Sequence, residues 1–193
     1  MPRSLRVGLL VVAVAAVLAA CSAAPPSSFD PSGSCTADGR TAGAYPDLEA
    51  LVPKAYRGEP PQTLDSGRNC TPANLGALAT RGISEVRFAG ATWTFGAERA
   101  AALVVFRAPG LTTDDMFAFY GQSATEASRT QVDAQSEPVI AGRPGRRLDT
   151  ETSGRTQTVV IWPAVAKDMV NVVLTDDLPD ARIQDAIDAF GGR

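Results

Sequence analysis

The sequence predicts an α+β fold, an antiparallel β-sheet flanked by helices, and three observations carry that prediction. Alternating and continuous apolar runs of strand length recur between Glu85 and Thr175. Apolar residues at helical spacing appear before, between and after those runs. The breaks between the C-terminal strands are short and rich in glycine or polar residues, which suits hairpins. A chain of 193 residues, 45% of them hydrophobic, is long enough to bury a core without a metal or a dense disulfide set.

Taken in order, residues 46–52 predict a short helix with Leu48, Leu51 and Val52 on one face, stopped by Pro53. Residues 58–67 are rich in Pro and Gly and read as loop with one short strand at most. Thr71-Pro72 predicts the N-cap and first residue of a second helix, with Leu75, Leu78 and Ala79 buried and Gly82 at its C-terminal end. From Glu85 the period becomes two, with Val86 and Phe88 opposite Glu85 and Arg87. The apolar phase then slips to Ala91, Trp93 and Phe95, which predicts a bulge or tight turn at Gly90. Residues 101–106 form a continuous apolar run, as in a strand covered on both sides. Thr112 or Thr113 opens a helix with a broad apolar face of Met116, Phe117, Phe119, Tyr120 and Ala124. Strands follow at 138–141, 146–150, 156–162 and 169–175, and the short break at 163–168 predicts an antiparallel hairpin. Ile183, Ala186, Ile187 and Phe190 mark a closing helix over 179–190.

The N-terminus is basic through Arg3 and Arg6, and an unbroken run of Val, Leu, Ala and Gly follows at 7–17. Eleven helical residues at about 1.5 Å each fall short of a hydrocarbon core of roughly 30 Å, so an export signal is expected and not a mature transmembrane anchor. Leu18-Ala19-Ala20-Cys21 closes this segment and resembles the lipobox of bacterial lipoproteins. That resemblance implies cleavage before Cys21, a diacylglycerol thioether on its sulfur and a lipid anchor. The competing reading is an ordinary signal peptide with a chance cysteine. The expected organisation is a signal peptide at 1–20, lipidated Cys21 with a flexible tether at 21–34, and one α+β domain at 35–193. Loss of Arg3 and Arg6 leaves 16 basic and 21 acidic residues, net −5.

Cys35 and Cys70 remain, and two cysteines in an exported domain most simply pair. A redox pair would sit as Cys-x-x-Cys, whereas 34 residues separate these, so a structural bridge is expected. The element order over roughly 84–190, with Ala141-Gly142-Arg143-Pro144 before a strand, resembles that of exported lipoproteins of the PsbP-like fold. This resemblance implies a central antiparallel sheet between helices.

The chain has no histidine, which removes Ser-His-Asp and Cys-His catalysis and His-ligated metals. An acidic balance argues against nucleic acid as a partner. Ser-x-x-Lys, Gly-x-Ser-x-Gly, Walker and Rossmann motifs do not occur, so no enzyme, cofactor or metal is expected. Arg143, Arg146 and Arg147 form the basic cluster that could contact an anion, or else flank a turn at Pro144-Gly145 and pair with Asp149 or Glu151. Asp176, Asp177 and Asp180 lack the glycine and closing glutamate of a calcium loop and suit a helix N-terminus. Trp93, Phe106, Phe117, Tyr120 and Trp162 are the candidates for an apolar ligand pocket.

The expected function is that of a non-catalytic lipoprotein anchored to the cell membrane, facing away from the cytoplasm, with an envelope protein as partner. That reading predicts filled cores and an exposed apolar patch. A small carrier of a hydrophobic ligand such as a lipid is the alternative, and it predicts one cavity lined by those five aromatics. A histidine-free hydrolase would require a buried carboxylate pair.

Overall fold

The computed structural model describes residues 29–96 and 98–191, so the signal segment, Cys21 and residues 22–28 lie outside it. The chain forms, in order, β1 (Gly39–Thr41), α1 (Pro46–Glu49), β2 (Thr63–Asn69), α2 (Pro72–Leu75), α3 (Ala77–Thr80), β3 (Val86–Thr94) and β4 (Ala100–Arg107). There follow α4 (Thr113–Glu126), β5 (Thr130–Ser136), β6 (Val139–Ile140), β7 (Arg143–Pro144), β8 (Arg146–Thr152), β9 (Arg155–Pro163), β10 (Met169–Asp176) and α5 (Asp180–Asp188). Eight strands make one sheet in the order β1-β2-β3-β4-β10-β9-β8-β5, and β6 with β7 makes a separate ladder. Every pairing is antiparallel, including the β9–β10 hairpin that the short 163–168 break predicts. The α+β fold class stands.

The sheet is the middle of three layers. On one face Leu48, Val52 and Tyr56 around α1 join Ile183 and Ala186 of α5 and Phe190 just after it, closing over Ala91, Trp93, Leu103, Val173 and Trp162. On the other, Leu75 and Leu78 join Met116 of α4 over Val86, Phe106, Leu148, Val159, Ile161 and Val172. Each Val, Leu, Ile, Met or Phe among them contributes about 1.5–3 kcal/mol when fully buried.

This two-sided burial corrects the expectation at Gly90. β3 runs without interruption through Gly90, which pairs with Asp65 on one side and Val104 on the other. Val86 and Phe88 belong to the α4-side core, whereas Ala89, Ala91 and Trp93 belong to the α1/α5-side core. The apolar phase slips because the strand changes which core it serves, not because the backbone bulges. β4 is covered on both faces as expected, by Leu103 and Val105 on one and Val104 and Phe106 on the other.

β1, β5, β7 and one helix break depart from the sequence reading, and β2, the short strand allowed within 58–67, runs on to Asn69. β2 hides its burial in polar residues. Ser66, fully buried, accepts from the Tyr45 amide at 2.7 Å and donates to Glu49 at 2.7 Å. Arg68, 3% exposed, donates to the carbonyls of Gly33, Asp30 and Ser34 at 2.6, 2.9 and 3.2 Å. β1 pairs with it through three residues. β5 is a largely exposed edge strand, irregular between Val132 and Ala134. The second predicted helix splits into α2 and α3 at Gly76 (φ 48°, ψ −126°), a backbone that glycine tolerates, and Ala79 is exposed instead of buried.

Arg68 also moves the start of the folded domain. Its guanidinium lies 5.7 Å over the ring of Phe29, and Phe29 packs on the first core. Residues 29–34, expected as tether, are therefore pinned to the sheet by Arg68. Among the described residues, the ten strands, both cores and the Cys35–Cys70 disulfide make up one body with this arm.

Asp38 fastens the bridged arm to α2. Thr71 stands at the N-cap as predicted, but its side chain makes no capping bond. Asp38 accepts instead from the Cys70 and Thr71 amides at 2.6 and 2.9 Å, from the Asn74 amide group at 2.6 Å and from the Thr71 hydroxyl. Desolvation pushes the Asp38 carboxyl up, but these hydrogen bonds together outweigh it and hold the group at about 2. A depressed carboxylate contributes stability that is complete above its unfolded value of 3.8 and is lost as pH falls through about 2. Asp38→Asn is expected to lower stability by about 1–2 kcal/mol at pH 7. The deficit should vanish below pH 2, as read by urea midpoints across that window.

Candidate functional site

Val139 and Val165 are the large hydrophobic side chains left exposed among the described residues, at 77% and 69%. Both line a groove of about 590 Å³ between the start of α4 and the β9–β10 turn. Each wall has a local cause. The β6–β7 hairpin turns through Ala141 (φ 50°) and Gly142 (φ 75°), the two-residue geometry with positive φ at both centres, and this holds Val139 outward. The expected turn at Pro144-Gly145 is thereby corrected to Ala141-Gly142. Gly145 instead lets two backbones meet, since a Cβ there would stand 2.7 Å from Ile140 and 3.0 Å from the Ile161 carbonyl. The β9–β10 turn is fastened by Ala164 N–H to the Met169 carbonyl at 3.0 Å and Ala108 N–H to the Asp168 carbonyl at 3.2 Å.

The remaining wall is the first turn of α4. Thr112 caps it with a capping box, as the sequence predicts for one of two threonines: the Asp115 amide donates to the Thr112 hydroxyl at 3.2 Å and the Thr112 amide to the Asp115 carboxylate at 3.1 Å. Arg146 spans this end of the groove. It donates to Asp114 at 2.9 Å and to Glu137, and its guanidinium lies 5.4 Å over the Phe117 ring. Its charge is met by two carboxylates, and Lys167 and Asp168 line the groove as well, so exposed valines stand here beside charged side chains.

The three candidate anion-binding arginines do not converge. Arg143 donates to the Pro163 carbonyl at 3.1 Å. Arg146 and Arg147 are adjacent on β8 and point to opposite faces. Arg147 bridges Asp149 at 2.9 Å and Asp180 of α5 at 2.8 Å, the pairing with Asp149 that the sequence offered as the alternative. The aspartates near α5 are likewise engaged: Asp176 accepts from Gln157 at 3.1 Å and Asp177 from the Thr156 amide at 2.8 Å. None caps α5, whose N-cap is Pro179.

Nor do the five aromatics share a cavity. Trp93 and Trp162 belong to the α1/α5-side core, and Phe106, Phe117 and Tyr120 to the α4 side, with the sheet between them. A single pocket lined by all five is therefore corrected by the alternation of neighbouring strand residues. Beneath the C-terminal half of α4 a separate groove of about 380 Å³ is lined by Tyr120, Ala124, Leu148 and Val159 and rimmed by Thr130, Thr150 and Thr152. Burial pushes the Tyr120 phenol above its ordinary range. Among the described residues no group of three or more metal-ligating side chains comes together, and no helix is long and apolar enough to cross a membrane.

The fold and this site define a three-layer antiparallel α+β domain with a groove lined by two exposed valines. The chain matches no protein-family model and no curated protein. Among solved structures it is similar to LpqN, involved in cell envelope biogenesis of Mycobacterium tuberculosis, at 15% identity and a TM-score of 0.33 over 72% of this chain and 86% of that one. It is also similar to a Pseudomonas aeruginosa protein of unknown function proposed as a regulator, at 15% identity and a TM-score of 0.31 over 51% of this chain and 72% of that one. At these TM-scores neither likeness transfers a function.

Proposed function

We propose that this chain is a non-catalytic, lipid-anchored lipoprotein of the bacterial cell envelope whose folded domain recognises a protein partner through the Val139–Val165 groove. The observation that supports it is that both exposed valines border one groove while the other large apolar side chains are engaged in the two cores. Isolated exposed valines need no explanation, but two lining one groove mark a surface suited to burial. The anchor rests on the lipobox at Leu18-Ala19-Ala20-Cys21. Phe29 packs on the domain, so the part of the expected tether from residue 29 onward is held against the fold.

Two experiments test this reading. Cys21→Ser is expected to move the exported protein out of the membrane fraction. A photoreactive residue at position 165 is expected to capture a discrete envelope protein, and Val139→Asp to weaken that capture about tenfold, the equivalent of about 1.4 kcal/mol. Because Val139 is exposed, the same substitution should change unfolding stability by less than about 0.5 kcal/mol. Unchanged capture with Val139→Asp would remove the groove from the interface.

A further inference from the structure

Three arginines stand in register across neighbouring strands: Arg68 of β2 pairs with Arg87 of β3, and Arg87 with Arg107 of β4. Residues directly opposite in an antiparallel pair lie about 5 Å apart on one face, and like charges so placed repel. The fold relieves this only in part. Arg68 is buried and committed to the carbonyls of the N-terminal arm. Arg87 gives Nε to Glu85 at 2.7 Å and lies 5.0 Å over the Tyr45 ring. Arg107 gives Nη1 to Asp47 at 2.9 Å. Each carboxylate engages one nitrogen, so both guanidinium forks keep N–H groups to spend.

Arg87 and Arg107 line a cleft of about 480 Å³ at the end of the sheet, and Lys167 from the β9–β10 turn lines it too. Lys167 makes no ion pair among the described residues. The acids of this cleft are Glu85, already held by Arg87, and Asp168. Two arginines in register with a lysine beside them around a cleft of ligand size suit an anion, and a guanidinium fork matches phosphate oxygens bidentately.

We propose that Arg87, Arg107 and Lys167 form a binding site for a phosphate ester group, the two forks gripping its oxygens and the lysine adding charge. The site's position gives this group two sources. Arg107 lies two strand spacings, about 10 Å, from Arg68. Arg68 in turn clamps the arm that leads to the tether, so on the lipid-anchor reading an anionic phospholipid headgroup is within reach. A soluble phosphate ester offers the same chemistry.

The test uses the chain from residue 22 onward, unlipidated, with the disulfide formed. Its probes are glycerol 3-phosphate followed by calorimetry, and vesicles of phosphatidylcholine with and without phosphatidylglycerol followed by co-sedimentation. Binding to the mixed vesicles but not to phosphatidylcholine alone is expected, and it should weaken at least tenfold in R87Q/R107Q/K167Q. The single variant Lys167→Gln, in an exposed turn, guards against misfolding and should weaken binding about threefold. R40Q/R57Q also removes charge at two exposed positions outside the cleft, and should leave binding within twofold. Binding of glycerol 3-phosphate without a vesicle preference upholds the phosphate site and overturns the headgroup as its source. Binding of neither probe, or equal loss in R40Q/R57Q, overturns the site. Membrane release of Cys21→Ser is read separately, so failure of the anchor and failure of the site are distinguishable.

Discussion

Trp93→Ala is expected to lower unfolding stability by about 3–5 kcal/mol, close to the whole margin of a domain whose net stability is about 5–15 kcal/mol. Trp93 is fully buried at the centre of the α1/α5-side core. Its indole donates to the Glu59 carbonyl at 2.9 Å, and its ring meets Tyr56 edge-on at 5.8 Å. Tyr56 then donates to the Arg182 carbonyl of α5 at 2.8 Å. Truncation therefore opens a cavity and loosens the loop before β2 from the last helix. Trp93→Phe restores most of the ring but strands the Glu59 carbonyl, and should cost about half as much. Urea unfolding followed by the fluorescence of Trp162, the other tryptophan, measures both. A loss below about 1 kcal/mol for Trp93→Ala would contradict the described core.

The second large effect is at the disulfide. Cys35–Cys70 closes a separation of 35 residues. On the chain-entropy account, constraining the unfolded chain over such a loop is worth about 4 kcal/mol. Replacing both cysteines with serine should lower stability by roughly that amount and make the protein insensitive to reductant. The loss should appear with unchanged groove capture at position 165, because the bridge lies in the arm–β2–α2 region and touches no wall of the groove. Limited proteolysis should cut first at residues 29–38, which then depend on Arg68, Asp38, the packing of Phe29 and the bond from the Tyr45 hydroxyl to the Pro31 carbonyl.

What the sequence made legible was what apolar periodicity reports. The β9–β10 hairpin, the double-covered β4, the cap at Thr112 and the apolar stripe of α5 all announce themselves through spacing. β2 does not, because Ser66 and Arg68 bury polar groups whose partners lie far along the chain. β5 does not, because an exposed edge strand needs no apolar row. The split at Gly76 is a backbone event with no compositional mark beyond one glycine.

The site was less legible for a related reason. Placing Arg146 and Arg147 in one cluster treated adjacent strand residues as neighbours, whereas alternation sends them to opposite faces; that correction was available from the sequence itself. The same holds for dividing Trp93 from Phe106 once the strands are in register. The row of Arg68, Arg87 and Arg107, by contrast, exists only in the pairing of β2, β3 and β4. The exposure of Val139 and Val165 follows from a hairpin and a turn and not from any motif.

The central claim is that this domain works through its surface and does not enclose a lipid, and native mass spectrometry of the oxidised, unlipidated chain from residue 22 onward tests it most directly. We expect the mass of the polypeptide alone, lower by about 2 Da than the reduced form because the disulfide forms by loss of two hydrogens. A stoichiometric, lipid-sized adduct that leaves on collisional activation and is lost in a variant filling the groove beneath α4, such as Ala124→Trp, would contradict the claim and establish the carrier reading in its place.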